Sequence, residues 1–171
     1  MELMELLKER YSVRSYDKRP VEEEKLQKVL EAGRLAPTAK NLQPQRIYVV
    51  KSAEKLEALG SVTKMTYGAP TVLVFAYDTE VEWHNPFEED FTSGPQDVSI
   101  VATHMMLEAQ ELGLGTCWCG WFDPKEVRRV LGIPENHKLA LIMPLGYPSE
   151  NSVPSPRHAE RLPLEETVKE L

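Results

Sequence analysis

Apolar positions along this chain recur in two rhythms, and the changes of rhythm mark its elements. Leu3, Leu6 and Leu7 suggest a short opening helix. Leu26, Val29, Leu30 and Gly33 share one side of a second helix over 21–35, behind glutamates that complement its positive end and ahead of Pro37, where it must stop. Ile47–Val50 and Thr71–Tyr77 are short, turn-bounded and rich in β-branched and aromatic residues, so both read as strands, the second buried on both faces. From Asp78 to Pro95 runs a polar stretch bearing Trp83, His84, Phe87 and Phe91 with no clear period, a loop that could cover a site. Pro95 or Asp97 opens the longest helix, with Val98, Val101, Ala102, Met105, Ala109 and Leu112 on one face and Gly113 as its stop. Asp123-Pro124-Lys125-Glu126 starts a further helix that ends at Gly132. Lys138–Met143 reads as a third strand, and Pro148–Pro163 as an extended, proline-rich arm. No internal repeat or linker interrupts the pattern, which predicts one domain over 1–171 with 148–171 as a C-terminal arm.

Charge narrows the function. The chain has 171 residues, 42% of them hydrophobic, enough for one real core, and a formal net charge of -7 with a pI near 5.2. That balance disfavours a broad nucleic-acid surface, so local arginine clusters must serve something smaller than a polymer. No apolar run approaches the roughly 20 residues of a membrane span, and Met1-Glu2-Leu3-Met4-Glu5 lacks the basic start of a signal peptide. The expectation is a cytoplasmic protein without membrane or nucleic-acid partners. Cys117 and Cys119 are too close for an ordinary structural disulfide and too few for a thiolate metal site, and His84, His104, His137 and His158 are scattered.

Three segments carry candidate chemistry. In an extended Arg10-Tyr11-Ser12-Val13-Arg14, Arg10, Ser12 and Arg14 point to one side and could grip one anion; the plainer alternative is solvated surface charge. Pro37-Thr38-Ala39-Lys40-Asn41-Leu42-Gln43 is a polar turn whose amides suit the donor and acceptor edge of a heterocycle, although such loops commonly just join a helix to a strand. Cys117-Trp118-Cys119-Gly120 follows a glycine turn and reads, on its own, as a buried strand with sulfurs as small apolar fillers. Leu112-Gly113-Leu114-Gly115-Thr116 is no dinucleotide fingerprint, because it follows a helix and Trp118 stands where a third glycine belongs.

Arg10–Arg14 followed by Ala36–Pro44, then Asp97–Gly120 and Leu145-Gly146-Tyr147-Pro148, together resemble the nitroreductase family of FMN-dependent oxidoreductases. The resemblance implies an α+β fold, a central mostly antiparallel sheet flanked by helices in an intertwined homodimer with FMN at the subunit interface. It implies that Arg10, Ser12 and Arg161 meet the FMN phosphate, with Tyr11 in the same segment and Arg157 as a further basic residue. Arg14 would sit near the pyrimidine N1 and O2, where a cation stabilises reduced flavin. Pro37, Thr38 and Ala39 would line the ribityl and ring region, and Asn41 would bond the pyrimidine edge with Gln43 in support. Cys117, Trp118, Cys119 and Gly120 would run along the isoalloxazine, the Cys119 N–H donating to N5. Gln45 stands where the family often has an aromatic residue, and Ala159 near where it has another basic one. The implied activity is ping-pong hydride transfer from NADH or NADPH through FMN to a small organic acceptor such as a nitroaromatic or quinone, with no catalytic side chain and no metal. Alternatives are a flavin-binding or storage protein, a specialised member acting on, for example, a halogenated aromatic, and a structural dimer without cofactor.

Overall fold

Strand 71–78 lies at the centre because its side chains are apolar on both faces. In the computed structural model, which describes residues 2–171, all eight residues of Thr71–Asp78 are buried. Met1, the first of the five residues read for a leader, lies outside the described residues. The elements run α1 (Leu3–Glu9), α2 (Glu23–Arg34), β1 (Gln45–Val50), α3 (Ala53–Val62), β2 (Thr71–Asp78), α4 (Gly94–Glu111), β3 (Gly115–Thr116), α5 (Pro124–Leu131), β4 (His137–Gly146) and α6 (Leu164–Thr167). The sheet has the order β1-β2-β4-β3 and is antiparallel throughout, the α+β architecture anticipated.

Side chains of β2 alternate between two cores. Leu73, Phe75 and Tyr77 pack with Leu26 and Val29 of α2 and Val98, Val101, Ala102 and Met105 of α4. Val72 and Val74 turn the other way, onto Leu59 of α3, Val127 of α5 and Val13. The pattern missed α3, although Ser52 caps it by accepting the Lys55 N–H at 3.3 Å. Helix α4 begins at Gly94, just before the expected start, and Asp123 caps α5 as anticipated. Strand β4 runs past its predicted end to Gly146, through Pro144. Ile142 exchanges both backbone bonds with Cys119 at 2.9 Å. Two residues on, Pro144 points its nitrogen the same way without a proton to donate, so pairing with the β3 edge breaks there and resumes only at Leu145 and Gly146. The arm is less extended than expected, with a 3₁₀ turn at Pro156–Ala159 and a short α6.

Residues 10–16 form the outermost ribbon beyond β3. The Val13 N–H donates to Thr116 O at 2.8 Å, a parallel bridge. Gly115 permits this approach, since a Cβ there would lie 2.5 Å from Val13 Cγ2. The arm then clasps the ribbon: Ser149 N–H donates to Ser15 O at 3.0 Å, the Tyr11 hydroxyl to Ser152 Oγ at 3.1 Å, and His158 Nε2 lies 3.0 Å from Lys8 O. No described helix is long and apolar enough to cross a membrane.

At the far end of β2, Asp78 accepts from Arg46 at 2.8 Å, Asn136 at 3.0 Å and the Glu80 N–H at 3.1 Å. These partners, the Glu80 amide first, hold its carboxyl below the usual carboxylate range. A depressed carboxyl contributes stability above its unfolded pKa of about 3.9, which is lost as pH falls through the lower folded value. The acid limb of a urea-midpoint profile is therefore expected to be shallower in Asp78→Asn than in the parent; identical acid limbs would remove Asp78 from the account.

Candidate functional site

The ribbon and the arm bring two unneutralised cations together. Arg10, at the end of α1, is half-buried, and burial followed by the nearby charge of Arg161 lowers its guanidinium pKa. Among the described residues no carboxylate forms an ion pair with either arginine, and the Arg161 guanidinium donates only to His158 O (2.7 Å) and Glu160 O (2.6 Å). Two close guanidinium groups repel unless an anion lies between them. Arg157 is exposed, and among the described residues its side chain forms no hydrogen bond or ion pair. Tyr11 is turned into the arm, with its ring edge-on to His158 at 6.3 Å.

Arg14 stands four residues beyond Arg10 along the ribbon. It is exposed, donates to Ser12 O at 3.2 Å, and lies beside the Tyr67 phenol and the two thiols. Cys117 and Cys119 are both buried free thiols. The Cys119 thiol, then Arg14, Ser12 and Arg10, pull the Cys117 thiol pKa down, whereas Cys119 is pushed up by giving its hydrogen bond to Cys117 and by burial. Both belong to the core beneath the ribbon, in keeping with packing rather than thiol chemistry.

The role implied for the Cys119 amide needs correction. Its N–H donates to Ile142 O at 2.9 Å and is turned toward β4. Alternation along an extended segment sends the amides of Trp118 and Gly120 the opposite way, off the open sheet edge, and neither donates to a protein acceptor among the described residues. Trp118 and Gly120 are exposed, while Cys117 and Cys119 are buried. A group lying along this edge would meet the Gly120 or Trp118 N–H. Beside Gly120 opens a groove of about 750 Å³ lined by Gly60–Lys64 and Trp121–Asp123, which sequence reading did not single out.

The 37–43 loop is strained. Lys40, Asn41 and Gln43 adopt φ of +50°, +55° and +54°, a left-handed conformation costing a non-glycine residue roughly 1–2 kcal/mol. Pro37, Asn41 and Gln43 are exposed, and Thr38 and Ala39 partly so. Thr38 Oγ1 accepts the Gln43 N–H at 3.1 Å, and Gln43 Nε2 donates to Asn41 O at 3.2 Å. Asp97, read from sequence only as part of a helix start, accepts the Ala39 N–H at 2.9 Å from α4. No sequence signal separates it from an ordinary acid in a first helical turn.

The two halves of the candidate site do not meet within one chain. The 37–43 loop leads into β1 at Gln45, opposite Tyr77, whereas Ser12 joins Thr116, whose β4 neighbour Leu145 lies opposite Thr71. These are diagonal corners of the sheet: three strand spacings, roughly 14 Å, across and about 20 Å along.

Comparison with known proteins identifies the family to which this fold belongs. The Nitroreductase family model matches residues 7–65 and 61–147. A nitroreductase family protein from Clostridium difficile 630 superposes with a TM-score of 0.91 at 39% identity, covering 99% of this chain and 98% of its own. An FMN-dependent nitroreductase from Clostridium difficile R20291 superposes at 0.75, with 30% identity over 94% of this chain and 98% of its own. A Thermus thermophilus protein named NADH dehydrogenase is 33% identical over 93% of this chain and 91% of its own length. With its ribbon-edged antiparallel sheet and paired arginines, the chain belongs to the nitroreductase family.

Proposed function

We propose that this protein is an FMN-dependent NAD(P)H oxidoreductase that works as a homodimer and passes electrons to a small organic acceptor such as a nitroaromatic or quinone. The observation that carries this reading is the convergence of Arg10 and Arg161 from opposite ends of the chain, uncompensated by carboxylate and adjoining Ser12. That donor set fits a terminal phosphate dianion. Bound FMN would supply hydride acceptance from the nicotinamide and delivery to the second substrate. Arg10, Ser12 and Arg161 would hold the phosphate, Arg14 would place positive charge at the pyrimidine end, and the outward amides of Trp118 and Gly120 would line the ring edge. Asn41 and its loop would come from the second chain, because the diagonal separation prevents one chain from supplying both halves. Leu3 (61% exposed), Met4 (62%) and Leu35 (68%) leave an apolar face suited to that pairing, continuous with a groove lined by Leu6, Ala32 and Leu107.

The visible spectrum of the purified protein supplied with FMN, followed anaerobically on adding NADH, NADPH and then a nitroaromatic or quinone, tests the reading. Bleaching by a nicotinamide and recovery on adding acceptor are expected. Bleaching without recovery would leave a flavin-storage protein, and no bleaching would refute the activity. FMN is also expected to bind at least about tenfold more tightly than riboflavin, since each charge-assisted bond is worth ~1.5–3 kcal/mol; equal affinities would remove the phosphate site. Sedimentation showing an FMN-loaded monomer would refute the shared-site dimer.

A further inference from the structure

Asp97 is a buried carboxylate, 3% exposed, with no cation paired to it among the described residues. An acid in a first helical turn ordinarily complements the free amides of its own helix, but Asp97 does something else. One oxygen accepts the Ala39 N–H at 2.9 Å, and the other accepts the Ser93 hydroxyl at 2.7 Å. Ser93, at the cap position of α4, makes no side-chain capping bond there; its Oγ accepts the Trp83 N–H at 3.1 Å. A chain of hydrogen bonds thus runs from the 78–95 loop through Ser93 and Asp97 to Ala39, next to the three left-handed residues Lys40, Asn41 and Gln43. A strained loop persists only where its surroundings over-determine it, and Asp97 is the buried group that grips this one from another element.

We propose that Asp97, with Ser93, is a positioning residue that clamps the Ala39–Gln43 loop and couples it to the 78–95 loop, so that Asn41 is presented to the cofactor in one orientation. This rests on the proposed flavin-binding role of Asn41. Asp97 is buried, both of its oxygens are engaged by Ala39 and Ser93, and it acts through the loop.

The test uses the FMN-loaded dimer. Asp97→Ala is expected to keep FMN, which is held through Arg10 and Arg161, while shifting the flavin visible spectrum and lowering kcat/KM for 4-nitrobenzoate by about 10–100-fold, the scale of a misplaced positioning group. Asp97→Asn is expected to restore most of that loss, because its amide oxygen can still accept the Ala39 N–H. Asn41→Ala should resemble Asp97→Ala, and combining the two should cost little more than Asn41→Ala alone, since residues acting through one contact are non-additive. A parental spectrum and rate in Asp97→Ala, or losses that multiply in full in the double variant, would overturn the proposal. Should Asp97→Ala fail to fold, Ser93→Ala and Asp97→Asn remain. Hydrogen exchange on the apoprotein should show faster exchange at Ala39 and its loop in Ser93→Ala and near-parental protection in Asp97→Asn. Unchanged protection in Ser93→Ala would overturn the clamp. The exchange measurement needs no cofactor, so it separates failure of the clamp from failure of the flavin reading.

Discussion

Replacing Arg10 and Arg161 together by alanine is expected to weaken FMN binding by about 10²–10⁴-fold while leaving riboflavin affinity nearly unchanged. Each guanidinium would form charge-assisted bonds to the phosphate worth ~1.5–3 kcal/mol, so losing two costs roughly 3–6 kcal/mol, at ~1.4 kcal/mol per decade. The apoprotein should not lose stability in parallel. Arg10 is half-buried, and burial first and then the like charge of Arg161 lower its pKa, so removing the buried, repelled charge offsets the lost packing. Fluorescence titration with FMN and riboflavin, alongside thermal melts of the apoprotein, separates these effects. A comparable fall for both flavins would mean that the arginines support the fold and not the phosphate. Arg14→Ala should differ in kind. Arg14 lies beside Tyr67, Cys117 and Cys119. Its loss should retain FMN but lower the flavin midpoint potential, by roughly 30–65 mV if ~1.4–3 kcal/mol of preference for the reduced form disappears. Release of FMN at unchanged potential would make Arg14 a phosphate ligand instead.

Gly115→Ala is expected to dislodge the whole ribbon. The added Cβ would stand 2.5 Å from Val13 Cγ2, 2.9 Å from Val13 Cβ and 3.1 Å from Pro148 Cγ. Val13 is 1% exposed and β-branched, so it has nowhere to rotate. Relief requires residues 10–16 to move away from β3, taking Arg10, Ser12 and Arg14 with them. Overpacking of this kind costs about 1–3 kcal/mol, and for a chain of this size each kcal/mol lowers Tm by roughly 2–4 °C. Loss of FMN should accompany the lower Tm. Val13→Ala in the same chain should restore part of both, because it removes the opposing methyl groups. Full FMN occupancy with an unchanged Tm in Gly115→Ala would show that the ribbon does not depend on this close approach.

Local physics was legible wherever one element carried its own signal. The apolar stripe of α4, its early proline and the terminating Gly113 set that helix to within a few residues, and Asp123 and Gly132 bounded α5. Strand β2 declared itself central because both of its faces are apolar. The pairing of Arg10–Arg14 with Pro37–Gln43 was legible as a family resemblance. Helix α3 was readable in principle from Ser52, Leu56 and Leu59 and was missed because its stripe is short.

Other features depend on register and on contacts between distant segments, which composition and period do not encode. Whether the Cys119 amide faces a ligand or β4 depends on which parity of residues pairs with β4, and a shift of one residue would reverse the answer. The approach of Arg161 to Arg10 requires the arm to fold back over α1. Asp97 becomes a loop clamp only when α4 packs against the segment leading into β1. The diagonal separation of the two site halves follows from strand order. Sequence by itself determined the elements, their caps and the types of group available for binding an anion and a heterocycle, because those arise from side chains close in the chain. Only the tertiary structure decided which amides point outward, which cations converge and which loops share a carboxylate, because those follow from how strands align and how remote segments dock.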